Sequence, residues 1–122
     1  MIGNFPVEEI PGRHRVFHRV HRAFMEGDEI LPGAFRDSGK DPMSVDWEKY
    51  STAEQTRQRA RKPPENAVVS VRSGVIQAMP ELKLGHEPLS DNRAHCRVYG
   101  EKTAKVRIKL VEAAQVEIRI ST

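Results

Sequence analysis

Five histidines carry most of the chemical potential of this chain. His86 and His95 flank the turn-rich stretch 87–93, His86 just before it and His95 at the start of the strand that follows. Such a pair can converge on the mouth of one loop, which suits proton transfer or ligand contact, because imidazole titrates near neutral pH. Asn92 stands three residues before His95 and would add a ligand contact, although Asp91-Asn92 is also ordinary turn chemistry. The competing role for His95 is a half-buried strand residue bonded to backbone. Cys96 adjoins His95, and neighbours on a strand point to opposite faces, so a Cys-His nucleophilic pair is not expected and Cys96 is predicted to be a core residue.

His14, His18 and His21 are spaced i, i+4, i+7. A helix would bring all three to one face, where they could bind a metal. A strand would turn His21 away from the other two, and no nearby acid is placed to orient them. Val16 and Val20 alternate with Phe17, Arg19 and His21, so a strand over about 15–22 is the preferred reading and no metal is predicted. Arg19 and His21 then join Asn92 and His95 as candidate catalytic residues. The chain has no phosphate-binding glycine loop, no His-Glu-x-x-His, no paired Cys-x-x-Cys and no Gly-x-Ser-x-Gly, and no cofactor is implied.

The formal net charge of +3 is mild and does not by itself indicate nucleic acid. Its distribution says more. Residues 13–24 hold four arginines and three histidines without an acid. Residues 55–62 hold Arg57, Arg59, Arg61 and Lys62, and residues 102–109 hold Lys102, Lys105, Arg107 and Lys109, again without an acid. Trp47 and Tyr50 would stack bases if they were exposed, although core packing is the commoner fate of a tryptophan.

These residues must be positioned by a chain of 122 residues, read as one domain over 1–122 with an irregular lead-in at 1–12. Apolar residues make up 38% and charged residues 30%, polar but with patterned apolar runs, hence globular. The single cysteine excludes an internal disulfide and fits a reducing compartment. The N-terminal stretch has no signal-peptide pattern and no apolar run is long enough to span a membrane, so a cytoplasmic protein without membrane contact is expected. Strands are predicted at 43–47, 67–72, 82–84, 94–99 and 116–120, and a turn at 26–29. The segment 30–36 contains Pro32 and Gly33 and reads as loop or short edge strand. Ser51-Thr52-Ala53-Glu54 has the spacing of a capping box with Ser51 as cap, predicting a helix over 52–61 that Pro63 and Pro64 end. A short helix fits 74–79. Residues 103–114 carry both a helical stripe (Val106, Leu110, Val111, Ala114) and an alternation (Val106, Ile108, Leu110), and Glu112-Ala113-Ala114 favours the helix. The fold class expected is α+β, a small mixed or antiparallel sheet with two or three short helices.

Three segments, Leu31-Pro32-Gly33-Ala34-Phe35, Met43-Ser44-Val45-Asp46 and Glu87-Pro88-Leu89-Ser90-Asp91-Asn92-Arg93-Ala94-His95, occur in an order that resembles a loose group of small bacterial proteins with an AF, LSV and DPxxxNxAH pattern. The similarity covers residues 15–100, and Asn92 to His95 is its most specific piece. Arg93 stands where proline is usual and Cys96 where alanine is usual. The resemblance implies a bacterial source and a single domain, and it brings no activity with it. The order of basic strand, Ala34-Phe35 turn, strand and capped helix is also similar to that of small ADP-ribosyltransferase-like toxins, at the level of fold alone, since no catalytic acid or triad is matched.

Three functions fit these observations, in this order. The first is a non-catalytic interaction or accessory domain with a protein partner, for which an exposed apolar patch would speak. The second is an RNA- or DNA-binding module using the basic stretches 13–22, 55–62 and 102–109 on one face. The third is a small enzyme acting on a nucleotide-like substrate, with His95 in its site and a cleft uniting it with the first strand.

Overall fold

Alternation of apolar and polar residues builds a sheet with two unlike faces. The computed structural model describes residues 5–120. In chain order the elements are β1 (Arg15–His21), β2 (Met25–Glu26), β3 (Glu29–Ile30), β4 (Met43–Trp47), α1 (Ala53–Gln58), β5 (Asn66–Arg72), α2 (Ser73–Gln77), β6 (Lys83–His86), β7 (His95–Tyr99), α3 (Ala104–Ala113) and β8 (Gln115–Ile118). Six strands pair antiparallel in the order β6-β7-β4-β1-β5-β8, and β2 and β3 form a separate hairpin. The fold is α+β, mostly sheet, as the sequence predicts. Within the segment read as loop or short edge strand, 30–36, Ile30 ends β3 and a 3-10 turn forms at Pro32–Ala34.

On one face lie Val16, Val20, Met43, Val45, Trp47, Val69, Val71, Cys96 and Val98, all buried. They pack with Ile76 of α2, with Val106 and Leu110 of α3, and with Phe35 in one core. Full burial of Val106 and Leu110 is worth about 2 kcal/mol each, while Ile108 between them is exposed; a strand would put all three on one face, so the burial pattern decides 103–114 in favour of helix. Thr103 caps α3, its hydroxyl accepting from the Val106 amide at 3.2 Å.

The opposite face is polar. Register places Phe17 beside both Asp46 and Ser70, Asp46 beside His95, and Ser44 beside Arg97. Antiparallel partners share a face, so Arg19, Ser44, Asp46, His95 and Arg97 all project here. Helix α1 packs over β1, β5 and β8 on this face and leaves the β1-β4-β7 part open.

Helix α1 departs from its sequence reading at both ends. Thr52, not Ser51, is the cap: its hydroxyl accepts from the Gln55 amide at 3.1 Å while the Gln55 side chain accepts from the Thr52 amide at 2.9 Å. Gln55 thus takes the place expected of Glu54. The Ser51 hydroxyl is instead buried against that of Thr56, 2.9 Å away. The helix ends at Gln58, ahead of the prolines, where the Arg59 and Ala60 amides return to Thr56 and Arg57 in tighter i→i−3 bonds. Pro63 begins a 3-10 turn of its own.

Candidate active site

Strands β1 and β4 pair only at Val16–Trp47 and Phe17–Asp46, then part. The His18 ring fills the gap. Its Nε2 donates to the Ala34 carbonyl at 2.7 Å, its Nδ1 lies 3.2 Å from the Ser44 carbonyl, and it stacks on Phe35 at 5.4 Å between centroids. Burial holds the His18 pKa below its ordinary value, against the pull of the two carbonyl oxygens.

Over this parting lies a groove of about 1060 Å³ whose lining includes Arg19, His21, Ser44, Asp46, Asn92 and His95. All four candidate catalytic residues from the sequence therefore meet along one concavity, though not as equals. His95 is 7% exposed; its Nδ1 donates to the Glu87 carbonyl at 2.8 Å and its Nε2 lies 3.2 Å from the Ser44 hydroxyl. Arg19 donates to the Thr56 carbonyl at 3.1 Å. His21 stands at the rim: its Nδ1 accepts from the Ala23 amide at 3.1 Å, and its Nε2 is 3.2 Å from a Glu65 carboxylate oxygen. Asn92 lines the groove with little surface of its own and chiefly supports it. Its amide nitrogen donates to Asp46 Oδ1 at 2.9 Å, and its oxygen accepts from the Ala94 amide at 3.1 Å, which is turn chemistry.

Asp46 is 4% exposed, and such a carboxylate needs a charged partner. Arg59 supplies it at 2.8 Å and also donates to the Ser51 hydroxyl at 2.9 Å. Of the four residues read as a nucleic-acid contact, only Arg59 lines the groove, and Asp46 occupies it. Arg57 donates to the Asn66 carbonyl at 3.2 Å, while Arg61 and Lys62 are exposed elsewhere. Lys102 is buried, paired with Asp37 at 2.7 Å and donating to the Val98 carbonyl at 2.6 Å. Lys105 and Lys109 are exposed on α3, across the sheet from the groove. The three basic stretches do not share one face. Trp47 is 1% exposed and edge-to-face with Tyr50, ring centroids 5.5 Å apart, so it offers no base a stacking surface.

His86 does not join His95 at one mouth. It sits on the apolar side, where Nδ1 accepts from the Glu8 amide at 3.0 Å and Nε2 donates to the Arg93 carbonyl at 2.7 Å. The two rings brace opposite ends of the 87–94 loop from opposite faces. His14 accepts from the Trp47 indole at 3.0 Å. Among the described residues no group of three or more His, Cys, Asp or Glu is placed to hold a metal ion, and no helix is long and apolar enough to cross a membrane.

Sequence reasoning missed Ser44, Asp46 and Arg97. Their signal was present: polar residues at alternate positions of three strands, 19-21, 44-46 and 95-97, mark one shared face once those strands are neighbours.

No protein-family model, no curated protein and no solved structure matches this chain.

Proposed function

We propose that the protein is an enzyme acting on a small phosphate-bearing, nucleotide-like substrate held in the groove, with His95 as its proton-transfer group. The observation that carries this reading is that Arg19 and His21 of β1 line the same concavity as His95, some seventy residues away in sequence. Arg19 bonds a neutral carbonyl and keeps further donors for phosphate oxygens. Arg97 donates to the Pro42 carbonyl at 2.9 Å and has the Glu87 carboxylate only at 3.9 Å, so it serves the same purpose on the other side of Ser44. His95 is oriented by the Glu87 carbonyl, which leaves Nε2 for the substrate side.

A non-catalytic interaction domain draws less support, because the exposed large apolar side chains Phe5, Val7, Tyr99 and Ile108 are spread over the lead-in, the end of β7 and the outside of α3. A nucleic-acid module is disfavoured by the separation of the basic stretches. The resemblance supports a bacterial source, and the single cysteine fits a cytoplasmic setting.

Titration with AMP, ADP and NAD, followed by amide chemical shifts, tests the reading. Shifts should cluster at residues 19, 44, 95 and 97, and Arg19→Ala should weaken binding about tenfold, the loss of one charge-assisted contact. Shifts that map elsewhere, or no binding at millimolar ligand, would overturn it.

A further inference from the structure

Ser44 is the second residue of β4, on the open half of the polar face, and its side chain is exposed to the groove. The Glu87 carbonyl can only accept, so the neutral His95 ring carries its proton on Nδ1, at 2.8 Å from that oxygen. Nε2 is then a lone pair, and the atom it faces at 3.2 Å is the Ser44 hydroxyl, which must donate. A hydroxyl donating to an imidazole whose far nitrogen is fixed by an acceptor is the arrangement of an activated serine nucleophile. Here a backbone carbonyl does the orienting that a carboxylate does elsewhere. Arg97 is the cross-strand partner of Ser44 on the same face and lines the same groove, so its charge acts on the negative oxygens of a phosphoryl group held there. The backbone at Ser44 is held as well: the preceding Met43 amide donates to Asp37 at 2.9 Å, and the His18 ring packs behind the Ser44 carbonyl.

We infer that Ser44 is a nucleophile toward tetrahedral phosphorus, with His95 as its general base. The inference rests on the groove being the active site. Ser44 Oγ attacks phosphorus and forms the Oγ–P bond while its proton passes to His95 Nε2. The P–O bond to the leaving group breaks, and His95 returns the proton to the departing oxygen. A water molecule then attacks phosphorus while giving a proton to the same nitrogen; the Oγ–P bond breaks, and His95 passes that proton to Ser44 Oγ, restoring both groups and releasing the phosphate product.

The test uses the full chain and diisopropyl fluorophosphate, which transfers phosphorus to nucleophilic serines and releases fluoride. Intact mass and peptide mapping should show one adduct, on Ser44. Ser44→Ala, a change at an exposed position, should abolish it, and His95→Asn should slow it about a hundredfold, the usual contribution of a general base. No adduct, an adduct elsewhere, or an unchanged rate in His95→Asn overturns the inference. If His95→Asn does not fold, the mapped position of the adduct decides alone. The uncharged probe needs no phosphate-binding arginine, so the outcomes separate. Nucleotide binding without labelling rejects the nucleophile and keeps the substrate class. Labelling without nucleotide binding does the reverse.

Discussion

His18 faces two carbonyl oxygens but can offer only one N–H while neutral, with its Nε2 on Ala34 and its Nδ1 toward Ser44. A second proton would satisfy both oxygens, yet burial opposes the charge and wins, leaving the pKa lowered. The unfolded chain, with an ordinary histidine pKa of about 6.5, therefore binds this proton more readily than the folded one. The resulting stabilisation is fully present above about pH 6.5 and is lost as pH falls toward the folded-state value. Urea denaturation across this range should show stability dropping toward acid, and His18→Gln, which keeps a donor but does not titrate, should flatten the drop. Equal slopes in the two proteins would dismiss His18 as the source. At this scale His95, Asn92, Arg19 and His21 were legible from residue type and position. Ser44 and Asp46 were not, because a serine and an aspartate alternating with Met43, Val45 and Trp47 look like any solvated strand face.

Among the elements, those set by local alternation were legible: β1, β4, β5 and β7 stand within a residue or so of their expected bounds. The edges of α1 were not, since Thr52 and Gln55 outcompeted Ser51 and Glu54 once Ser51 had been drawn to Thr56 and Arg59. The parting of β1 from β4 was also hidden, because pairing over long sequence separations depends on which side chains insert, and the His18 ring is the one that does. Gly100, which follows β7, has φ of +113°, and a Cβ there would lie 2.0 Å from the Glu81 carbonyl oxygen. That oxygen belongs to backbone just ahead of β6 and has no side-chain rotamer by which to retreat. Gly100→Ala should cost about 3 kcal/mol or more in urea denaturation, combining positive-φ strain with the clash. A cost below about 1 kcal/mol would mean that the β6-β7 edge yields easily.

Over the whole molecule the sheet divides the work. Helices α2 and α3 close the apolar side into the core, and the polar side carries the groove under the rim of α1. Strand β7 shows the division in two consecutive residues: His95 faces the groove, and Cys96, 0% exposed, faces the core. Burial pushes the Cys96 thiol up to about 12, so almost none of it is thiolate at neutral pH. In the native protein this lone thiol should be silent toward a disulfide reagent such as Ellman's, reacting only when the core opens. Its labelling rate would then be a clock for opening, slowed by a factor on the order of 10⁴ or more for a domain of ordinary stability. Fast, stoichiometric labelling without denaturant would contradict that. A molecule seated in the groove never meets the sulfur, yet by mass action it must slow the clock, so ligands for one side of the sheet can be sought by timing a reaction on the other.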